Sequence, residues 1–154
     1  MSNTWNPDIY LRHQAYRARP ALDLMAQIPL DVDGPIVDLG CGPGNVTKAL
    51  KEQWPDRNVM GVDLSPDMLA KARDKYGDTD IQWQQGDIAA WQTDTPHALV
   101  FSNAALHWVT NHAAVVPKLT DMIVPGGWLA FQIPVTEQSA YQVCIRATVT
   151  SERW

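Results

Sequence analysis

The stretch of this chain richest in chemistry is Val37-Asp38-Leu39-Gly40-Cys41-Gly42-Pro43-Gly44-Asn45. An apolar run ends in glycines at alternate positions, so the backbone can turn sharply and a ligand can approach with no Cβ in the way. Such a turn delivers its ligand to the N-terminus of the following helix. A dinucleotide site would place its third glycine one residue later, where this chain has Asn45, and would need surroundings friendly to a pyrophosphate. Here Asp38 sits two residues before the first glycine and directs an anion at the same turn. It repels phosphate and attracts a cation, so the electrostatic sign favours a positively charged nucleoside over a phosphorylated one.

Positioning this turn takes a strand before it and a helix after it, and the flanking sequence offers both several times over. Residues 35–39 read as a strand, and 45–54 as a helix with Val46, Ala49, Leu50 and Trp54 on one face. A second strand spans 58–63. Ser65-Pro66-Asp67 then opens a helix, with Ser as N-cap, Pro at the first position and Asp in the first turn. Residues 81–83 alternate like a third strand and 98–101 make a buried fourth. A helix over 111–123 must kink or start late at Pro117. Pro125-Gly126-Gly127 turns into a fifth strand, 128–133.

Ahead of all this, 8–16 carries Ile9, Tyr10, His13 and Tyr16 at helical spacing, and Pro20 suits the first turn of a second helix, 20–27. Strands alternating with helices predict an α/β fold, a parallel sheet of about five strands with helices on both faces. Three regions follow: a helical lid over 1–34, the α/β binding domain over 35–134, and a segment of unsettled structure over 135–154.

The pattern Asp38-x-Gly40-x-Gly42-x-Gly44 resembles the first motif of the class I S-adenosylmethionine-dependent methyltransferases, whose fold is Rossmann-like. Their cofactor carries a sulfonium, an ammonium and a carboxylate, hence a net charge of about +1 and no phosphate, in keeping with the sign of Asp38. The resemblance continues strand by strand. It implies that Asp63, ending the second strand, takes both ribose hydroxyls, at roughly 1.5–3 kcal/mol per bond to a charged group, and that Leu64 packs on the adenine. In Gly86-Asp87-Ile88, Asp87 would accept from the exocyclic amine and Ile88 would cover the ring. Ser102-Asn103-Ala104-Ala105-Leu106-His107-Trp108 follows the fourth strand, where the family holds the methionine portion and the acceptor approaches. The implied cofactor set is therefore Asp38, Gly40, Gly42, Gly44, Asp63, Leu64, Asp87, Ile88, Ser102 and Asn103. S-adenosylhomocysteine would be the product, and no metal is implied.

Trp5-Asn6-Pro7-Asp8-x-Tyr10, Arg17-x-Arg19-Pro20-Ala21-x-Asp23-Leu24, Ala89-Ala90-Trp91 and Ser102 through Val109 are similar to the trans-aconitate 2-methyltransferases, which esterify a carboxylate of a small polyacid. A carboxylate with an ordinary pKa near 4 is already ionised at pH 7 and needs no general base. Alignment of oxygen, methyl and sulfur can supply roughly 7–11 kcal/mol. A polyanion asks for cations, and Arg12, Arg17 and Arg19 lie in a basic stretch with His13 and no acid. Tyr10, His107 and Trp108 complete the expected acceptor-binding set. His107 is a candidate base only for a less acidic acceptor, and beside a tryptophan it reads first as packing. Trp91 and Trp108 are placed near the site, where an indole can attract a sulfonium. Three alternatives stay open: another small acceptor such as a quinone precursor or a carrier-bound thioester, a cofactor-binding module without catalysis, and a dinucleotide-dependent oxidoreductase, which Asp38 and Asn45 oppose.

The remaining composition narrows the field. At 154 residues one core is expected. A net charge of −5 argues against a nucleic-acid partner, because phosphate binding needs clustered cations. The N-terminus has no basic segment followed by an apolar one, no run is long enough to span a membrane, and Cys41 and Cys144 lack metal-ligand spacing. A reduced cytoplasmic protein is the expectation. Members of the resembling family continue into two further strands and most of the acceptor pocket. Their absence here predicts weak methyl transfer and an open sheet edge prone to self-association.

Overall fold

Two strands at the centre of the molecule are almost wholly buried, because a parallel sheet is covered on both faces and its inner strands can be apolar throughout. They are β1 (Ile36–Leu39) and β4 (His97–Asn103). The computed structural model describes residues 14–134, with side chains from residue 18 onward. Around the two central strands lie α1 (Gln14–Met25), α2 (Asn45–Gln53), β2 (Val59–Asp63), α3 (Pro66–Tyr76), β3 (Gln82–Gln85), a 3-10 turn (Leu106–Trp108), α4 (His112–Asp121) and β5 (Ile123–Gln132). The strand order is β3-β2-β1-β4-β5, parallel throughout. The order reverses between β1 and β4, so their carboxyl ends open the crevice where such sheets bind ligands.

The period of two along each strand divides the core. Ile36, Leu99, Phe101 and Ala130 pack with Ala21, Met25 and Leu50 of α1 and α2. Val37, Leu39, Val62 and Val100 pack on the other face with Trp91, Val115, Leu119 and Met122. Ser65 caps α3 as expected, accepting from the Met68 N–H at 3.3 Å, with Pro66 at its first position.

Several boundaries depart from the sequence reading. Gln14–Met25 is one helix with Pro20 inside it, so Pro20 does not start a second helix. The donor lost at Pro20 is offset by full burial of Ala21 and Met25 beneath the sheet. The expected helix over 8–16 lies largely outside the described residues, as does 135–154. Strand β3 runs 82–85, because Ile81 is buried ahead of it and three glutamines make an exposed edge. Asn111 caps α4 by accepting from the Ala114 N–H, and Pro117 sits within the helix. Strand β5 begins at Ile123, not Trp128. Its Pro125-Gly126-Gly127 is an irregularity inside the strand: His97 pairs with Ile123 and Leu99 with Trp128. Gly127 is needed there because a Cβ would stand 2.7 Å from the Ala98 carbonyl oxygen.

Among the described residues no helix is long and apolar enough to cross a membrane, and no group of three or more His, Cys, Asp or Glu is placed to hold a metal ion.

His97 is buried at the start of β4, edge-on to Trp91 at 5.9 Å, with its Nδ1 unpartnered among the described residues. Burial holds its pKa below the ordinary 6.5, against a smaller upward effect of a backbone bond at Thr95. A base with a depressed folded-state pKa contributes stability above its unfolded value and loses it as pH falls through 6.5. Relative to His97→Gln, the wild type should therefore lose stability below pH 6.5, by at most about 1.4 kcal/mol per pH unit. Melts of both proteins at pH 5 and 8 test this, and an unchanging gap between them rejects it.

Candidate functional site

The glycine turn, the ends of β2 through β5 and residues Ala18 and Pro20 of α1 enclose an open cavity of about 1230 Å³ at the sheet's carboxyl edge. It lies at the order reversal, where the topology places it. The backbone of the turn is tied to β2: the Gly40 and Cys41 N–H groups both donate to the Val62 carbonyl, at 2.8 and 3.0 Å.

The three glycines serve different ends. A Cβ on Gly40 would collide with Ala105 behind the turn. Gly42, at φ +55°, has no atom of the described residues within 4 Å of where a Cβ would stand and faces the cavity. Gly44, at φ +83°, precedes α2 and is covered by Trp83, whose ring would lie 2.5 Å from a Cβ. Gly44→Ala should therefore cost on the order of 2–5 kcal/mol of stability from overpacking and left-handed strain. Gly42→Ala should cost only about 1–2 kcal/mol and act chiefly on ligand affinity. Paired melting and nucleoside-binding measurements separate the two effects, and equal destabilisation by both substitutions would contradict this division.

Asp63 ends β2 and reaches across to the turn. Its Oδ2 accepts from the Gly42 N–H and its Oδ1 from the Ser65 N–H, both at 2.8 Å. Leu64 beside it is 64% exposed on the cavity wall, an apolar surface that the other described residues leave open. Asp87 follows β3; its Oδ1 accepts from the Ala89 N–H, and its carbonyl accepts from the Ala90 and Trp91 N–H groups. That tight turn presents Ile88 to the cavity.

Asp38 lines the same space but is nearly inaccessible, and its Oδ2 accepts from Thr47 Oγ1 at 2.7 Å. Burial pushes its pKa up to about 7; the Thr47 hydroxyl pulls the other way, and the nearby Asp63 charge adds to the rise. Burial likewise raises the Cys41 thiol, with Asp38 and Asp63 adding to it.

The structure brings together Asp38, Gly40, Gly42, Asp63, Leu64, Asp87, Ile88, Asn103, His107 and Trp108 around one cavity. It does not bring in the rest. Ser102 is buried and donates to the Leu39 carbonyl at 2.8 Å, so its hydroxyl pins β4 to β1, and it is not among the residues lining the cavity. Gly44 lies behind the turn. Trp91 belongs to the core, its Nε1 donating to Gln84 Oε1 at 3.3 Å. Arg19 points to solvent and pairs with Asp23 at 3.8 Å. A pair so exposed contributes little, and the anchoring role expected of Arg19 is not seen. Tyr10 and Arg12 lie outside the described residues, as does the side chain of Arg17. His107, expected to pack, is exposed at the cavity rim with its ring 5.0 Å from that of Trp108. Two residues escaped the sequence reading. Thr47 carries no signal beyond standing one turn into α2; Gln132 is the one polar side chain closing the apolar run 128–131.

Residues 36–127 match the family model of a methyltransferase domain. The chain belongs to that family. This methyltransferase domain is 43% identical to the trans-aconitate 2-methyltransferase of Streptomyces avermitilis, over 98% of this chain and 58% of the relative. It is 42% identical to that of Escherichia coli O157:H7, over 84% of this chain and 51% of the relative. Among solved structures, an S-adenosylmethionine dependent methyltransferase from Mesorhizobium loti superposes with a TM-score of 0.64 at 33% identity, covering 75% of this chain and 52% of that one. DesVI of Streptomyces venezuelae superposes with a TM-score of 0.72 at 22% identity, over 86% and 57% of the two chains, which speaks for the fold alone. The methyltransferase domain described here thus spans a little over half the length of these relatives.

Proposed function

We propose that this chain binds S-adenosylmethionine in the cavity and transfers its methyl group to a carboxylate of a small polyacid such as trans-aconitate. The observation that carries the reading is Asp63, held by two backbone N–H groups beside the open Gly42, with the exposed Leu64 next to it. An ionised carboxylate has about four acceptor positions. Two are filled by the protein, and two remain for the paired hydroxyls of a ribose. Leu64 and Ile88 offer apolar surface to the two faces of a base, and Asp87 keeps one oxygen for an exocyclic amine. The resemblance of the domain to named trans-aconitate 2-methyltransferases supports the acceptor class.

When bound, the cofactor would supply an electrophilic methyl on a sulfonium. The chain's own part is to orient and to sort charge. Asp38, Asp63 and Asp87 form an anionic side for a cationic ligand. The acceptor carboxylate is ionised at neutral pH and would serve as its own nucleophile toward that methyl. No residue has to move a proton. His107 and Trp108 at the rim, together with Tyr10, Arg12 and Arg17, are the side chains proposed to meet the acceptor.

The test is incubation with S-adenosylmethionine and trans-aconitate, followed by mass analysis for the monomethyl ester and calorimetry for the cofactor. An ester with stoichiometric cofactor binding is expected. Cofactor binding with ester formed only on a different acceptor class overturns the polyacid reading, and tight binding of a dinucleotide in its place overturns the cofactor reading.

A further inference from the structure

Two carboxamide side chains stand side by side on the cavity wall. Asn103 closes β4 and Gln132 closes β5; the two are register partners, and the Ala104 N–H donates to the Gln132 carbonyl at 2.8 Å. Register partners in parallel strands send their side chains to the same face, and both residues line the cavity. The Asn103 Oδ1 and the Gln132 Oε1 are both buried without a hydrogen-bond partner among the described residues. Native proteins seldom leave a buried amide so, and two adjacent ones in a cavity wall point to something that fills it.

Their place in the sheet says which ligand. Asp38 is the penultimate residue of β1, Asp63 ends β2 and Asp87 follows β3; Asn103 and Gln132 end the two strands on the opposite side of β1. The cavity is thus acidic along one half and neutral, with hydrogen-bonding groups, along the other. No Lys or Arg is among the described residues that line it. A cationic nucleoside belongs to the acidic half, and an anion would be repelled from it. A carboxamide whose oxygen has no partner can rotate about its last bond and present its NH2 group with no protein hydrogen bond broken at that oxygen.

We propose that Asn103 and Gln132 form a paired subsite that orients the acceptor carboxylate through neutral N–H donors, an assignment that rests on the polyacid reading above. Asn103 thereby moves from the cofactor set to the acceptor side, and Gln132 joins it. Neutral donors suit this task. They fix the direction of the attacking oxygen without the tight ion pair that would hold its electrons back.

The test uses the whole chain saturated with S-adenosylhomocysteine and titrated calorimetrically with trans-aconitate. The double variant Asn103→Leu, Gln132→Met keeps size and removes both amides. Its acceptor affinity should fall about tenfold or more, as expected for two lost hydrogen bonds, while cofactor affinity stays within about twofold and melting is no lower than wild type. Restoring Gln132 alone should recover part of the acceptor affinity. Unchanged acceptor binding overturns the subsite. So does an equal loss of cofactor affinity, which would put the amides at the methionine end. If the double variant does not fold, Gln132→Met alone is read by the same criteria. A wild-type chain that ignores trans-aconitate overturns the polyacid reading and the subsite together, whereas wild-type binding matched by the variant overturns the subsite alone.

Discussion

Asp63→Ala should weaken S-adenosylmethionine binding at least 100-fold, a loss of about 2.7 kcal/mol or more. The carboxylate works in two directions. Toward the protein it holds the Gly42 and Ser65 N–H groups, and so fixes both the glycine turn and the entry to α3. Toward the cavity its two remaining acceptor positions face the proposed ribose, and two hydrogen bonds to a charged group are worth roughly 3–6 kcal/mol together. Alanine removes both sets. Asp63→Asn keeps the shape but must aim an NH2 group at one of two backbone donors, so its effect should approach that of alanine. Asp87→Ala frees a single backbone donor and should cost less than either. Calorimetry at neutral pH, with melting curves to confirm folding, gives the ranking. Cofactor affinity within threefold of wild type for Asp63→Ala would remove the central support of the functional reading.

The parts of this site that sequence revealed are those where backbone geometry and residue type coincide. A glycine at each alternate turn position, an acid at the end of a strand and Ser-Pro-Asp at a helix start each permit few conformations, and the structure has all three. Residues whose role depends on partners distant in sequence were not legible. The family resemblance implied Ser102 as a cofactor contact, yet the neighbouring strand offers its hydroxyl the Leu39 carbonyl. Trp91 and Arg19 were likewise misplaced, since whether an indole or a guanidinium turns inward is decided by packing across elements. Gln132 was hidden for the same reason: only the pairing of β5 with β4 sets it beside Asn103. The Pro125-Gly126-Gly127 segment was read as a turn, and the sheet instead absorbs it as an irregularity. Local composition announces a break in regular structure but not its form.

Asp38→Asn should stabilise the ligand-free protein at pH 8 and abolish a pH dependence that the wild type carries. Asp38 is sealed between β1 and α2, with the Thr47 hydroxyl as its hydrogen-bond donor and with Asp63 and the Cys41 thiol as its nearby titratable neighbours. Burial raises its pKa from 3.8 to about 7. For an acid raised in the folded state, stability is fully present below the unfolded value and is lost as pH climbs to the folded one. The wild type should therefore lose stability between about pH 4 and pH 7 and level off above, by no more than about 4 kcal/mol in all. His97 acts in the opposite sense over part of this window, so the measured quantity is the gap between variant and wild type at each pH. That gap should widen in favour of Asp38→Asn up to pH 7 and then hold. A bound cation reverses the situation, because it favours the charged carboxylate. Cofactor affinity of the wild type should then rise close to tenfold per pH unit below 7 and flatten above, while Asp38→Asn binds weakly with no such slope. Calorimetry at pH 6 and 8 reads both. A wild-type affinity that is flat across this range would mean that Asp38 stays neutral beneath the cofactor, and that its contribution is the hydrogen bond to Thr47 with no role for its charge.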